Sequence, residues 1–285
     1  MNPLVSHKNI PLVGQHNRPI VTDFLYANTS KPKPVVVFCH GYKGYKDWGA
    51  WPLMLQQLAE QGNFVVSFNF SHNGGTIQEP IDFPDLEAFA NDNFSIQQDD
   101  LQSVIDEVLS PVFKFVSEVN TENVTLIGHS RGGGVVILKA AAEKKITKIV
   151  SLAPISTYDT SFPTGKVLEN WKKEGVMYVT NGRTQQEMPL YFQLYEDYQK
   201  NKASLHISAA AEKLTIPHLI VHGIEDKAVT VDNAELLHAK SKQSELFLLS
   251  TDHVFGAKQP WEPNKMPEAL QLVTDKITKF LSNTK

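Results

Sequence analysis

Six short runs rich in Val, Ile, Leu and Phe recur along the chain, and none alternates apolar with polar residues. They are "PVVVFCH" (34–40), "NFVVSFNF" (63–70), "NVTLIGH" (123–129), "KIVSLAP" (148–154), "HLIVHG" (218–223) and "LFLLS" (246–250). A strand that is apolar on both sides has to be covered on both sides. That is the situation of a parallel sheet between two layers of helix. Segments of helical period lie between the runs. Residues 51–61 put Leu53, Leu55 and Leu58 near one side and stop at Gly62, while 95–108 align Ile96, Leu101, Val104, Ile105 and Val108. Residues 131–144, 234–241 and 267–280 read in the same way. The alternation predicts an α/β fold of βαβ units with helices on both sheet faces. At the N-terminus, "IPLVGQHNRPIVTDFLYA" reads instead as an antiparallel hairpin at the sheet edge, turning at "HNRP".

One interval breaks the rhythm. From Pro154 to Ile216 no strong core strand appears, far beyond the ~2–6 residues that usually connect elements of an α/β unit. This interval carries Phe162, Trp171, Tyr178, Tyr191, Phe192, Tyr195 and Tyr198, more aromatic surface than a disordered linker holds. It reads as an inserted cap over 155–213, with helices and a hairpin near 175–190, and the core is made of 1–154 and 214–285. Asn181-Gly182 between two extended segments predicts a type I′ turn.

Composition narrows the function classes. The chain has 285 residues and a formal net charge of −4, without the basic footprint of a nucleic-acid binder. Cys39 is the only cysteine, which excludes an intramolecular disulfide and a Cys-based metal cluster. Its place in "VVVFC" suggests a small core residue. The histidines show no H-E-x-x-H or comparable ligand spacing, so no metal site is expected. The first residues lack the basic start and apolar core of a signal peptide, and no stretch approaches the roughly 18–20 apolar residues of a spanning helix. A soluble, cytoplasmic protein without a membrane partner is the expectation. Oligomeric state leaves no mark in the sequence.

The third run ends in Gly128-His129-Ser130-Arg131-Gly132, a G-x-S-x-G pattern with a strand before it and a helix after it. Such a corner can be a plain tight turn. It can also hold a serine hydroxyl out as a nucleophile, with glycines where side chains would collide with strand and helix. A serine needs a base, and the base needs an orienting acid. In this topology the acid follows a later strand and the histidine follows the last one. Asp226 comes three residues after Gly223, and His253 directly follows the final run. Glu225 should point the other way along its loop, Asp252 adjoins His253 too closely, and Asp232 falls at a helix start where capping explains it. His129 reads as packing beside the corner and His222 as a turn residue. Backbone donors for a developing oxyanion should come from Arg131 and from Tyr42 in "CHGYKGYKDWG". The alternative for that loop is a glycine-rich turn carrying solvated lysines, Lys43 and Lys46.

On "VVVFCHGYKGYKDWG", "GHSRGG", "HGIEDKAV" and "TDHVFG", the chain resembles the α/β-hydrolase superfamily over nearly its whole length. Within it, the resemblance is to the serine aminopeptidase-like and prolyl-oligopeptidase-like hydrolases and the cinnamoyl/feruloyl esterases. There is no room for the propeller usual in prolyl oligopeptidases, and the "HGYKG" loop differs from the HGGG type of lipases. The resemblance implies an eight-stranded, mostly parallel sheet, no cofactor, a Ser130–Asp226–His253 triad, and Tyr42 and Arg131 as oxyanion donors. The expected activity is hydrolysis of small acyl esters in a pocket walled by the aromatic cap, Trp48, Trp51 and Phe255. An aminopeptidase-like reading for short peptides would instead need Glu169, Glu174, Glu187, Glu196 or Asp197 to hold a peptide amine. A non-catalytic ligand-binding protein on the same scaffold is the third reading, and the complete triad argues against it.

Overall fold

The computed structural model describes residues 2–283. The N-terminal hairpin pairs β1 (Leu4–Val13) with β2 (Pro19–Ala27) in antiparallel register, with a bulge after His7 where Asn9 has φ 54°. The Asp23 carboxylate accepts the freed Asn9 N–H at 2.7 Å. Next come β3 (Lys33–Cys39), α1 (Trp51–Glu60), β4 (Phe64–Asn69), the short α2 (Leu86–Ala90) and α3 (Phe94–Val108). They are followed by β5 (Val119–His129), α4 (Arg131–Ala142) and β6 (Lys148–Leu152). After an excursion the chain closes with β9 (His218–Gly223), α8 (Asp232–Lys240), β10 (Ser244–Leu249) and α9 (Glu268–Ser282), the excursion itself contributing β7, β8 and α5 to α7.

Eight strands form one sheet in the order β1-β2-β4-β3-β5-β6-β9-β10. Pairings β1–β2 and β2–β4 are antiparallel and the rest are parallel. The doubly apolar runs are explained by the two cores. Val35, Val37 and Cys39 of β3 face one hydrophobic cluster, shared with α3 and α4, while Val36 and Phe38 face the other, shared with α1 and α9. In α1 the buried stripe is Trp51, Met54, Leu55, Leu58 and Ala59, so Leu53 lies off the stripe expected from the sequence. The stripe read on α3 is buried throughout. Among the described residues no helix is long and apolar enough to cross a membrane.

The excursion holds α5 (Lys166–Glu174), β7 (Val176–Thr180), β8 (Glu187–Tyr191), α6 (Gln193–Asn201) and α7 (Ile207–Lys213). The last of these packs on α4 and α8, so the chain has rejoined the helical layer before residue 213. Strands β7 and β8 pair as a hairpin, but its turn is not type I′. The connection runs over 181–186, and the residue with positive φ is Gln185 (58°) rather than Asn181 or Gly182. Asn181 is spent differently: its Oδ1 accepts the Arg183 N–H at 3.1 Å, and its N–H donates to Gln186 O at 2.8 Å. Phe162, Trp171, Phe192, Tyr195 and Tyr198 pack on one another and on α3, whereas Tyr178 is exposed. Phe162 stacks with Tyr198 at 5.1 Å, Trp171 meets Phe192 edge-on at 5.3 Å, and Phe94 meets Tyr198 at 6.0 Å.

Candidate active site

Ser130 occupies the corner between β5 and α4 with φ 55° and ψ −118°. A non-glycine residue rarely adopts that backbone, and it persists only where the surroundings enforce it. Here the enforcement is close packing. A Cβ on Gly128 would stand 2.1 Å from Gly132 O, and one on Gly132 would stand 2.4 Å from Cys39 O. Ser130 precedes α4 in the N-cap position, where a serine hydroxyl ordinarily accepts a backbone N–H. It makes no such bond here. The hydroxyl is therefore spare, and the capping explanation for this serine fails.

Asp226 and His253 meet as the sequence predicts. His253 Nδ1 donates to Asp226 Oδ2 at 2.6 Å, which leaves Nε2 as the free ring nitrogen. The Asp226 side chain is fully buried, and its Oδ1 accepts the N–H groups of Ala228 (2.8 Å) and Val229 (2.9 Å). His222 is more than a turn residue: its Nε2 lies 2.9 Å from Val229 O and 3.2 Å from Asp226 Oδ2. Burial pushes the Asp226 carboxyl up, but the hydrogen bonds from His222 and His253, and then from the Val229 N–H, outweigh it. The net effect holds the carboxyl well below the usual carboxylate range. His129 packs beside the corner, donating from Nε2 to His253 O at 2.9 Å and lying 4.9 Å from the Trp51 ring.

The rejected acids have other work. Glu225 faces away and takes the Ser250 hydroxyl. Asp252 Oδ1 accepts the N–H groups of Val254 (3.1 Å) and Gly256 (2.8 Å), shaping the turn that carries His253. Asp232 is the first residue of α8 rather than its cap, which is Val231.

Tyr42 and Arg131 are brought together on one side of Ser130. The Arg131 guanidinium stacks 3.9 Å from the Tyr42 ring centroid, and its Nη1 lies 3.9 Å from Asp92 Oδ2. Burial pushes the Asp92 carboxyl up to about 7, against the lowering effect of Arg131 and of the Gln97 amide. A Cβ on Gly41 would crowd the nucleophile corner, 3.1 Å from Ser130 Cβ. His40 pins the loop from behind, donating from Nδ1 to Gly41 O at 2.9 Å. Lys46 is not solvated: it is 1% exposed and paired with Asp23 (2.8 Å) and Asp47.

Ser130 and His253 line one cavity of about 460 Å³, although no direct hydrogen bond joins them in this conformation. Trp48 and Trp51 line it too. Phe255 does not. It is fully buried beside Trp51 (6.5 Å) in the core under α1 and α9, because the turn after His253 gives it φ 56° and directs it inward. Nor do the excursion's aromatic residues wall the cavity; that segment contributes Asn181 and Arg183 from its hairpin tip. Sequence reasoning missed these two, along with Lys258 and Gln259 of the loop after β10. None of the five acidic residues considered for a peptide amine lines the cavity. Glu169 and Glu196 border a separate groove between α5 and α6.

A Ser–His hydrogen bond does form elsewhere, from Ser151 Oγ to His218 Nε2 at 2.8 Å, but it is of another kind. Both residues are fully buried within β6 and β9, out of reach of any substrate, and the far nitrogen of His218 faces the Ser241 hydroxyl rather than an acid.

Residues 36–260 match the model of the alpha/beta hydrolase family, and the chain belongs to that family. No curated protein matches it. Among solved structures it resembles Est1E from Butyrivibrio proteoclasticus, determined with ferulic acid bound. The identity is 18% and the TM-score 0.70, over 95% of this chain and 97% of that one. It also resembles the alpha/beta hydrolase GrgF from Penicillium sp. sh18, at 14% identity and TM-score 0.71 over 98% of each chain. A third, the acylaminoacyl peptidase of Pyrococcus horikoshii, is 14% identical with TM-score 0.67, over 99% of this chain and 42% of that one. At these identities the likeness is one of fold.

Proposed function

We propose that the protein is a serine hydrolase that cleaves small carboxylic esters through an acyl-enzyme on Ser130. The observation that carries this reading is the 2.6 Å His253–Asp226 hydrogen bond, on a cavity shared with a serine held at positive φ and free of any capping role. His253 Nε2 takes the proton as Ser130 Oγ attacks the ester carbonyl carbon. Asp226 holds the Nδ1 tautomer and stabilises the imidazolium. The tetrahedral oxyanion receives the backbone N–H groups of Tyr42 and Arg131, the latter at the positive end of α4. Its collapse expels the alcohol, protonated from His253. Water, deprotonated by the same imidazole, then attacks the acyl carbon and releases the acid and free Ser130.

The test is the intact mass of the protein after fluorophosphonate treatment, with wild type beside Ser130→Ala and His253→Ala. One adduct on the wild type, lost in both variants, is the expected result. Ester turnover in Ser130→Ala should fall by about 10⁴–10⁶ in kcat while the fold persists. Labelling or turnover that survives in Ser130→Ala removes the proposal.

A further inference from the structure

We propose that the ester substrate carries a free carboxylate, held at the cavity mouth by Lys43, Arg183 and Lys258. The proposal rests on the serine-hydrolase reading and names its substrate class.

These three cations are the only ordinarily charged side chains along the cavity wall; no Asp or Glu lines it. The chain as a whole runs the other way, with 31 acidic residues against 27 basic. The cations also arrive from three separate segments: the loop after β3, the tip of the β7–β8 hairpin and the loop after β10. One locally basic stretch would not produce that convergence.

Each has capacity left for a ligand. Lys43 and Lys258 form no salt bridge among the described residues. Lys43 is half-buried with φ 53°, next to the Tyr42 N–H, and its Nζ reaches Thr180 O at 3.4 Å. Burial, and then the nearby Arg131, lower its pKa, as expected of an ammonium lacking an anion. Arg183 is steadied through one Nη by Asp82, and the rest of its fork remains for bidentate contact with a carboxylate. Asn181 lines the cavity at the same tip, its Oδ1 accepting the Arg183 N–H. A half-desolvated cation without a counter-ion is unfavourable by itself, and a bound anion relieves it. Trp48, Trp51, Val254 and Ala257 supply apolar wall in the same cavity as these cations and Ser130, room for the neutral part of the ester.

The experiment compares two pairs of esters, each an acid and its methylated counterpart. In 4-nitrophenyl hemiglutarate the carboxylate lies on the acyl side, and in 4-acetoxybenzoate it lies on the leaving group. Rates are normalised to hydroxide hydrolysis. In at least one pair the acid should have about tenfold higher kcat/KM than its methyl ester, and added salt should erode the difference. In Lys43→Gln, Arg183→Gln and Lys258→Gln the acid-to-methyl ratio should fall, by about threefold each. Taking the ratio within each variant cancels any general effect on the chemistry. Equal or better turnover of the methyl esters in both pairs overturns the carboxylate proposal while leaving the hydrolase standing. Absence of turnover on all four esters, together with no fluorophosphonate adduct, overturns the hydrolase reading itself.

Discussion

Phe255 shows how far a single backbone angle can redirect a residue. With Trp48, Trp51 and the aromatic cap it was expected to wall the pocket, yet φ 56° turns this ring into the core against Trp51. Phe255→Ala should therefore cost stability, about 3–5 kcal/mol by urea unfolding, as loss of a fully buried aromatic does. Trp48→Ala, at a half-buried position on the cavity wall, should mainly raise KM with little change in unfolding midpoint. The reverse pattern would show the two rings to have been misassigned. The meeting of Ser130, Asp226 and His253 in one place was readable because chain order and strand ends constrain their positions strongly. Asn181, Arg183 and Lys258 were not, because polar residues on loop tips look alike until folding decides which tips overhang the site. His222 was undervalued for a related reason: its bond to Asp226 depends on a tight turn whose path no periodicity reports.

At the scale of elements, the corner between β5 and α4 exists because strand and helix nearly touch. Gly128→Ala would push a methyl group to 2.1 Å from Gly132 O, an atom of rigid backbone. The expected result is a loss of roughly 3 kcal/mol or more, or failure to accumulate folded protein. Gly182→Ala is the matched control, since a Cβ there meets nothing within 4 Å, and its unfolding midpoint should hardly move. Equal stability of both variants would contradict the packing described. The helices were legible because each buries a stripe of helical period, and the core strands because they are apolar on both faces. The β7–β8 turn was misread because Asn-Gly favours a type I′ turn only when nothing else recruits it, and here the Asn181 side chain closes a longer loop on Arg183. The tightness of the corner and the looseness of the hairpin tip are both local facts, but only the first is written in glycines.

For the whole molecule, acid stability follows from buried histidines and carboxyls acting together. Burial first of all lowers the pKa of His40 and His72 to about 4, and of His129 and His218 to about 3. Burial likewise pushes the Asp92 and Asp100 carboxyls up to about 7 and about 6. Below about pH 6.5 the unfolded chain protonates the four histidines and the folded chain does not, which destabilises the fold. The two carboxyls act oppositely, binding protons in the fold before they do in the unfolded chain. Four against two leaves about two protons favouring the unfolded state near pH 5. The slope there is on the order of 2 kcal/mol per pH unit, with stability falling as pH falls. Lowered Asp226 adds to the loss only below about pH 4, its unfolded range. The urea midpoint should be lower at pH 5 than at pH 7; a higher one would mean the carboxyls dominate.

The strand order has a consequence for the chain as it is made. Ser130 follows β5 in the middle of the sheet, whereas His253 follows β10 at its far edge, and the His129–His253 bond spans 124 positions. A ribosome therefore exposes the proposed nucleophile long before its base has been polymerised. A chain cut short between Ser130 and β10 would keep Ser130 and lack His253, the imidazole proposed to deprotonate it. On that reading, reactivity waits for the outermost strand and the turn that follows it.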